Sequence, residues 1–202
     1  MNKRLKVFCV FLLAISIVCC NFLTVSATDV APSKVILSFD RSNAAVGEII
    51  TANIKVENIS NFSGIQFHLK YDPTVLQAVD LVTGQPYPER INSINFENKL
   101  MGEILLNSGF YPYEAAVFNH SNGTIDAMRG YMFLASYRDG GIAETTGIVS
   151  KLGFKILQDV STTVTLENCP TLSNPIDGTM IANWYGEMVT SGYVVEQYGN
   201  IN

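Results

Sequence analysis

The sequence has little of what enzymes and metalloproteins use for their chemistry. It contains four cysteines and two histidines among 202 residues. No H-E-x-x-H, G-x-S-x-G or D-x-[DN]-x-[DN]-G pattern occurs, which excludes the common signatures of zinc proteases, serine hydrolases and EF-hand calcium loops. Glycoside hydrolysis needs two convergent carboxylates, and no carboxylate here stands in such a signature. The carboxylates considered are Asp72, Glu97, Glu103, Asp126 and Glu144. We therefore expect no catalytic activity and no metal site on this chain.

The first residues have the pattern of a secretory signal peptide. Three basic residues precede the apolar run Val7–Cys20, and Val25–Ala27 supplies the small residues that a signal peptidase requires. We predict that residues 1–27 are a signal peptide. Residues 28–202 would then form a single secreted domain, either extracellular or associated with the cell surface.

Two other membrane attachments compete with cleavage at this site. The apolar run is short for a helix that spans a bilayer, and Asn21 interrupts its end, which disfavours a transmembrane anchor. A lipid anchor on Cys19 or Cys20 is disfavoured by Val18, a poor residue just before a lipidated cysteine. We therefore expect no membrane attachment after cleavage.

The predicted mature chain is acidic and has almost no cysteine. The full chain has 13 Lys and Arg against 18 Asp and Glu, and cleavage would remove three of the basic residues, which leaves a net charge of −8. This charge disfavours nucleic acids and anionic membranes as partners. Cys169 would be the one remaining cysteine, so the domain has no internal disulfide and depends on its hydrophobic core.

Short apolar or alternating runs separated by turn residues indicate an all-β sandwich. A parallel α/β sheet would need crossover helices, and no long amphipathic helix is evident. Residues Thr83–Asn98 form a long irregular connection with two prolines. The predicted strands are Val35–Phe39, Ile49–Val56, Ile65–Tyr71, Val75–Val82, Ile104–Asn107, Ile125–Leu134, Ile148–Leu157, Thr162–Leu166 and Met188–Glu196.

The segment Tyr131–Leu157 departs from this pattern, because a polar stretch separates two β-like runs. Ala135–Glu144 contains Arg, Asp, Glu and two adjacent glycines, a composition that a buried strand would not tolerate. We interpret it as a short helical insert between two strands.

Three segments in order resemble the cohesin domain of bacterial cellulosomes, and type II cohesins more than type I. They are Val46–Glu48, Asn58–Leu76 (NISNFSGIQFHLKYDPTVL) and Tyr137–Leu157 (YRDGGIAETTGIVSKLGFKIL). The resemblance covers roughly Lys34–Gln197. It implies a nine-stranded β-sandwich of jelly-roll topology, with a short helix between strands six and seven at Ala135–Glu144. It also implies flaps that interrupt two strands, for which Thr83–Asn98 and Cys169–Asp177 are the candidates.

The resemblance further implies a non-catalytic function in cellulosome assembly. Type II cohesins bind the helices of a calcium-loaded dockerin, carried by a scaffoldin or a cellulosomal enzyme, on a flat face made by strands eight, three, six and five. The calcium belongs to the dockerin, so we expect no cofactor on this chain.

Alternation along strand three predicts which side chains face the partner. Ile65, Phe67, Leu69 and Tyr71 would be buried, and side chains between them would face outward. The outward residues predicted on this strand are Gln66, His68 and Lys70.

The other two predicted strands of the face each allow more than one frame. On strand six, Tyr131 and Phe133 are expected in the core. A reversed frame or a bulge would instead turn them outward and bury the residues between them. On strand five, Glu103–Asn107, both faces are apolar, and of the two parities we take the one that places Leu105 and Asn107 outward. The outward residues predicted on strand six are Met128, Gly130 and Met132.

A secreted carbohydrate-binding module is the alternative function, because it is also a β-sandwich. Such a module would bind plant cell-wall polysaccharide on a row of exposed aromatic side chains. The candidates for that row are Phe110, Tyr111, Tyr113, Trp184 and Tyr185.

Overall fold

The fold is given by a computed structural model that describes residues 31–60, 62–92, 100, 102–105, 114–129, 146–167, 178–183, 188–189, 193–198 and 201. The predicted signal peptide and the predicted helix at 135–144 lie outside these residues. No helix among the described residues is long and apolar enough to cross a membrane. The described strands are β1 (Ser33–Phe39), β2 (Ile49–Glu57), β3 (Phe62–Lys70), β4 (Leu76–Val79), β5 (Arg90–Ile91), β6 (Glu114–Asn119), β7 (Thr124–Arg129), β8 (Gly147–Ile156), β9 (Thr165–Glu167), β10 (Met180–Asn183), β11 (Met188–Val189) and β12 (Tyr193–Tyr198).

These strands form two sheets. The first has five strands in the order β12-β1-β2-β8-β4, in which β12 runs parallel to β1 and the other pairs are antiparallel. The second has seven strands and follows the order β11-β10-β3-β7-β6-β5, with β9 also paired to β3. The all-β prediction is therefore confirmed, and β1, β2, β3 and β8 lie where the alternating patterns placed them.

Alternation along β2 shows how the core is built. Its nine residues alternate strictly between half-buried and buried. Ile50, Ala52, Ile54 and Val56 are fully buried and belong to one cluster with the inward residues of the second sheet. Burying an aliphatic or aromatic side chain contributes about 1.5–3 kcal/mol, so the interior between the sheets supplies most of the stability.

The line of pairing beside β3 is interrupted between β9 and β10, around the segment Cys169–Asp177 that was named as a candidate flap. Glu167 in β9 pairs with His68, and Met180 in β10 pairs with Gln66, so β9 and β10 follow one another along β3. The Thr179 N–H donates to the Glu167 carbonyl at 2.8 Å and closes the base of the insertion. Residues 168–177 themselves lie outside the described residues.

The connection after β4 is irregular, as predicted. Asp80 caps its first turn, because its side chain accepts hydrogen bonds from the N–H groups of Val82 and Thr83 at 2.9 and 3.1 Å. The chain then touches the first sheet through one bridge between Val79 and Pro86, and enters the second sheet at β5. Residues 93–99 lie outside the described part of this connection.

The predicted strand Ile104–Asn107 is wrong in its described part. Residues 103–105 form a turn, in which the Leu105 N–H donates to the Gly102 carbonyl at 3.1 Å. The N–H groups of Gly102 and Ile104 donate to carbonyls of β8, beyond the part of β8 that β4 pairs with. Leu105 is therefore buried against the edge of β8, while Ile104 is half-buried. An apolar run of this length does not distinguish a buried turn from a strand.

The sequence patterns also missed β6 and gave too few strands. Glu114–Asn119 contains two adjacent alanines, which weaken the β signal, yet it occupies the position next to β7 that strand five was expected to take. The described residues form twelve strands rather than nine, partly because interruptions such as that between β9 and β10 divide one line of pairing into short strands.

We expect Gly123→Ala to destabilise the fold more than Gly47→Ala. Both glycines have positive φ, 70° and 92°, so either alanine brings backbone strain of about 1–3 kcal/mol. A Cβ on Gly47 meets open space, whereas a Cβ on Gly123 would overlap the Tyr71 carbonyl. Overlap adds roughly 1–3 kcal/mol. Urea unfolding of both variants measures the difference in the free energy of unfolding. Equal losses of stability would show that the backbone at Tyr71 shifts to make room for the added methyl group.

Candidate functional site

β3 has the frame that alternation predicted. Ile65, Phe67 and Leu69 are buried, while Gln66 and His68 are half-buried and Lys70 is exposed on the other side of the sheet. Because strand pairing holds β3 between neighbours on both sides, these outward side chains lie on the face of the second sheet that is turned away from the core.

The predicted parity of strand six is confirmed in its described half. Ile125 and Ala127 are fully buried in β7, and Asp126 between them is half-buried on the outward face. Met128 lies in the same strand, but its side chain is outside the described residues, as are Gly130 and Met132.

The prediction that Leu105 faces outward is wrong. Its side chain is 1% exposed and belongs to the hydrophobic core. The physical reason is the turn at 103–105, which has no strand alternation and directs Leu105 into the interior. Asn107 lies outside the described residues.

Strand register aligns five residues in a row across the outward face. Arg90 pairs with Val117, Val117 with Asp126, Asp126 with His68, and His68 with Glu167. We call these five residues the transverse row. Of the five, only His68 was predicted from the sequence, because alternation within one strand carries no information about which residues of distant segments become neighbours.

Polar contacts connect the row around His68. His68 Nδ1 lies 2.6 Å from Asp126 Oδ1, and His68 Nε2 lies 3.4 Å from Glu167 Oε2. Lys70 Nζ lies 3.9 Å from Glu167 Oε1. A charged and hydrogen-bonded group from three strands therefore occupies the middle of this face.

Gln66 also has a defined contact beside the row. Its Nε2 donates to the Gly178 carbonyl at 3.0 Å, at the point where the chain returns after the insertion. The amide therefore ties β3 to the base of the interrupted strand.

Two of the carboxylates considered for catalysis, Asp72 and Glu103, are occupied by capping and pairing. The hydroxyl and the N–H of Thr74 both donate to the Asp72 carboxylate. These hydrogen bonds, with the hydroxyl contributing more, hold the pKa of Asp72 below its ordinary value. A hydrogen bond from Lys151 likewise lowers the pKa of Glu103. Asp72 is therefore a capping residue of the turn that follows β3. Within the described ranges, no group of three His, Cys, Asp or Glu residues is placed to hold a metal ion.

An open depression of ≈ 530 Å³ adjoins the face at the end of β3. Its one aromatic side chain, Tyr71, is 5% exposed and so offers no ring for a sugar to stack on. The aromatic residues proposed for carbohydrate binding lie outside the described part of the chain. The depression is lined by Lys70, Tyr71, Asp72, Ser161, Thr162, Thr163 and Thr165.

Comparison with known proteins gives one consistent family. Residues 35–181 match the cohesin domain. The chain is 38% identical to "Cell surface glycoprotein 1" of Acetivibrio thermocellus over an alignment of 182 residues. The alignment covers 90% of this chain. The chain spans only 8% of the length of that protein.

Solved structures of type II cohesins have the same fold. A type II cohesin–X–dockerin complex from Acetivibrio cellulolyticus contains a chain 41% identical, with a TM-score of 0.70, covering 84% of this chain and 98% of that one. The second type II cohesin module of the adaptor scaffoldin ScaA from the same organism is 40% identical, with a TM-score of 0.70, and covers 85% and 96%. Type II cohesin A11 from Bacteroides cellulosolvens is 33% identical, with a TM-score of 0.68, and covers 83% and 98%.

We expect Leu105→Ala to reduce stability and Lys70→Ala to leave it almost unchanged. Removing the buried leucine leaves a cavity and should cost about 2–5 kcal/mol. An exposed lysine at a strand end should cost within roughly 0.5 kcal/mol. Denaturant unfolding of the two variants tests this, and a stable Leu105→Ala protein would mean that Leu105 does not pack in the core.

Proposed function

The chain belongs to the cohesin family, and from this premise we propose that it is a non-catalytic assembly module that binds a calcium-loaded type II dockerin. The proposal takes the outward face of the second sheet as the binding surface. The observation that supports it most is the similarity, across 84% of the chain, to the type II cohesin of a cohesin–X–dockerin complex.

The physical character of the face agrees with this function. It combines the half-buried apolar side chain of Val117 with the charged residues beside it in the transverse row. A surface of this kind can pack against helices through its apolar part and select them through its charges. From the sequence prediction we retain Gln66, His68, Lys70, Asn107, Met128, Gly130 and Met132 as proposed contacts, and we add Arg90, Val117, Asp126 and Glu167.

The finer features of the resemblance are also proposals. We propose a jelly-roll connection in which nine principal strands are divided by flaps, with the short helix at Ala135–Glu144. The serial pairing of β9 and β10 along β3 supports one such division. We further propose that residues 1–27 are removed on secretion and that the domain acts outside the cell, in a cellulosome or at the cell surface. The name of the Acetivibrio thermocellus relative is consistent with that location.

The partner is expected on a scaffoldin or a cellulosomal enzyme. Titrating the chain against a panel of type II and type I dockerins by calorimetry tests the function directly. The proposal expects tight binding to type II dockerins, and binding to none of the panel would contradict it.

Charge changes on the outward face of the second sheet should weaken dockerin binding. Val117→Asp adds a carboxylate to the transverse row, and Lys70→Glu reverses a charge beside the row. We expect the first to weaken binding by about 2 kcal/mol or more, roughly 30-fold, and the second by a smaller factor, because burying a charge beneath a partner is costly.

The matched control for these variants is Asn53→Asp, which adds a charge to the outward side of β2 in the other sheet. Its affinity should equal that of the wild type. If Val117→Asp binds as tightly as Asn53→Asp, with equal thermal midpoints, the dockerin docks elsewhere on the chain.

Removing calcium should abolish binding without affecting the fold of this chain. We propose that the ion is held by the dockerin, since the sequence contains no EF-hand loop. EDTA should therefore eliminate the calorimetric binding signal, and excess calcium should restore it. Thermal unfolding of the isolated chain should be the same in EDTA and in calcium, and a lower midpoint in EDTA would reveal a calcium site on this chain.

A further inference from the structure

His68 lies between two carboxylates that approach opposite sides of its ring. Nδ1 lies 2.6 Å from Asp126 Oδ1, and Nε2 lies 3.4 Å from Glu167 Oε2. A neutral imidazole has one N–H and can donate to only one of these carboxylates, whereas an imidazolium can donate to both. The geometry is therefore complete only in the protonated form.

The charges around His68 are balanced in that form. Asp126 faces it from β7 and Glu167 from β9, and Lys70 lies next to Glu167 on β3 itself. The described residues of β10 add no charged group. With an imidazolium, the four residues His68, Lys70, Asp126 and Glu167 carry two positive and two negative charges. With a neutral imidazole they carry a net charge of −1.

In the free chain this cluster is open to water. The His68 side chain is 18% exposed, and the Asp126 and Glu167 side chains are 30% and 44% exposed. Solvent can therefore hydrate a carboxylate that lacks a donor. A dockerin helix laid across the row would displace that water, and burying a carboxylate without a donor costs more than burying a balanced group of charges.

We propose that dockerin binding takes up a proton at His68, so that the affinity of this face rises as the pH falls through the titration range of imidazole. This inference rests on the proposed function, because it requires that the partner cover the transverse row. It assigns to His68 a positioning role, in which the imidazolium holds Asp126 and Glu167 in one arrangement beneath the partner.

The test is calorimetric titration of the chain with a calcium-saturated type II dockerin at pH 6, 7 and 8. At each pH, two buffers of different ionisation enthalpy report the number of protons taken up. Uptake of a single proton limits the change in affinity to about tenfold for each pH unit, and the wild-type affinity should fall several-fold from pH 6 to 8. Proton uptake should be measurable at pH 7.

Matched variants separate His68 from every other titrating group. His68→Gln keeps a polar side chain but cannot take up a proton, so its proton uptake should fall to the level that the dockerin alone contributes. His120→Gln changes the other of the two histidines, whose Nε2 lies 2.8 Å from the Tyr87 carbonyl, and should behave as the wild type. Asp126→Asn should reduce proton uptake, because it removes the carboxylate at Nδ1.

The outcomes distinguish this inference from the function on which it rests. Equal proton uptake by wild type and His68→Gln, or an affinity that rises with pH, would overturn the role of His68 while leaving dockerin binding in place. No binding at any pH, with unchanged thermal midpoints, would overturn the proposed function and this inference together. Loss of proton uptake in His68→Gln but not in His120→Gln would support it.

Discussion

The burial of one side of β3 is the constraint on which the rest of the structure depends. Ile65, Phe67 and Leu69 enter the interior between the sheets, and together they contribute several kcal/mol at roughly 1.5–3 kcal/mol each. A register slip of one residue would expose all three and bury the polar side chains between them. This energy holds Gln66, His68 and Lys70 on the outward face, where they are available to a partner.

The same strand organises the second sheet around it. β3 pairs with β7 on one side and with β9 and β10 in succession on the other, so residues from segments distant in the chain meet at its outward side chains. The base of the insertion between β9 and β10 is closed by backbone hydrogen bonding and by the Gln66 side chain. An insertion at this place leaves the pairing of β3 intact. β9 ends after Glu167 pairs with His68, and β10 continues the pairing where Met180 meets Gln66.

The contrast between His68 and Leu105 shows how far sequence patterns determine a site. His68 was placed correctly because it belongs to a long alternating strand, in which the buried residues identify the outward ones. Leu105 was placed wrongly because it belongs to a short run of consecutive apolar residues, and such a run has no period from which to infer a face. Glu114–Asn119 was missed because its alanines favour a strand only when the neighbouring strands supply the pairing.

The sequence by itself determined the all-β class, the frame of β3 and β7 in its described half, and the resemblance to cohesins, since each follows from local alternation and from ordered motifs. Only the tertiary structure decided that Arg90, Val117, Asp126 and Glu167 share a row with His68. Strand register arises from pairing between residues far apart in the chain, and no local pattern specifies it. The position of Leu105 depended in the same way on packing, because a turn against the edge of β8 buries it where a strand would have left one face open.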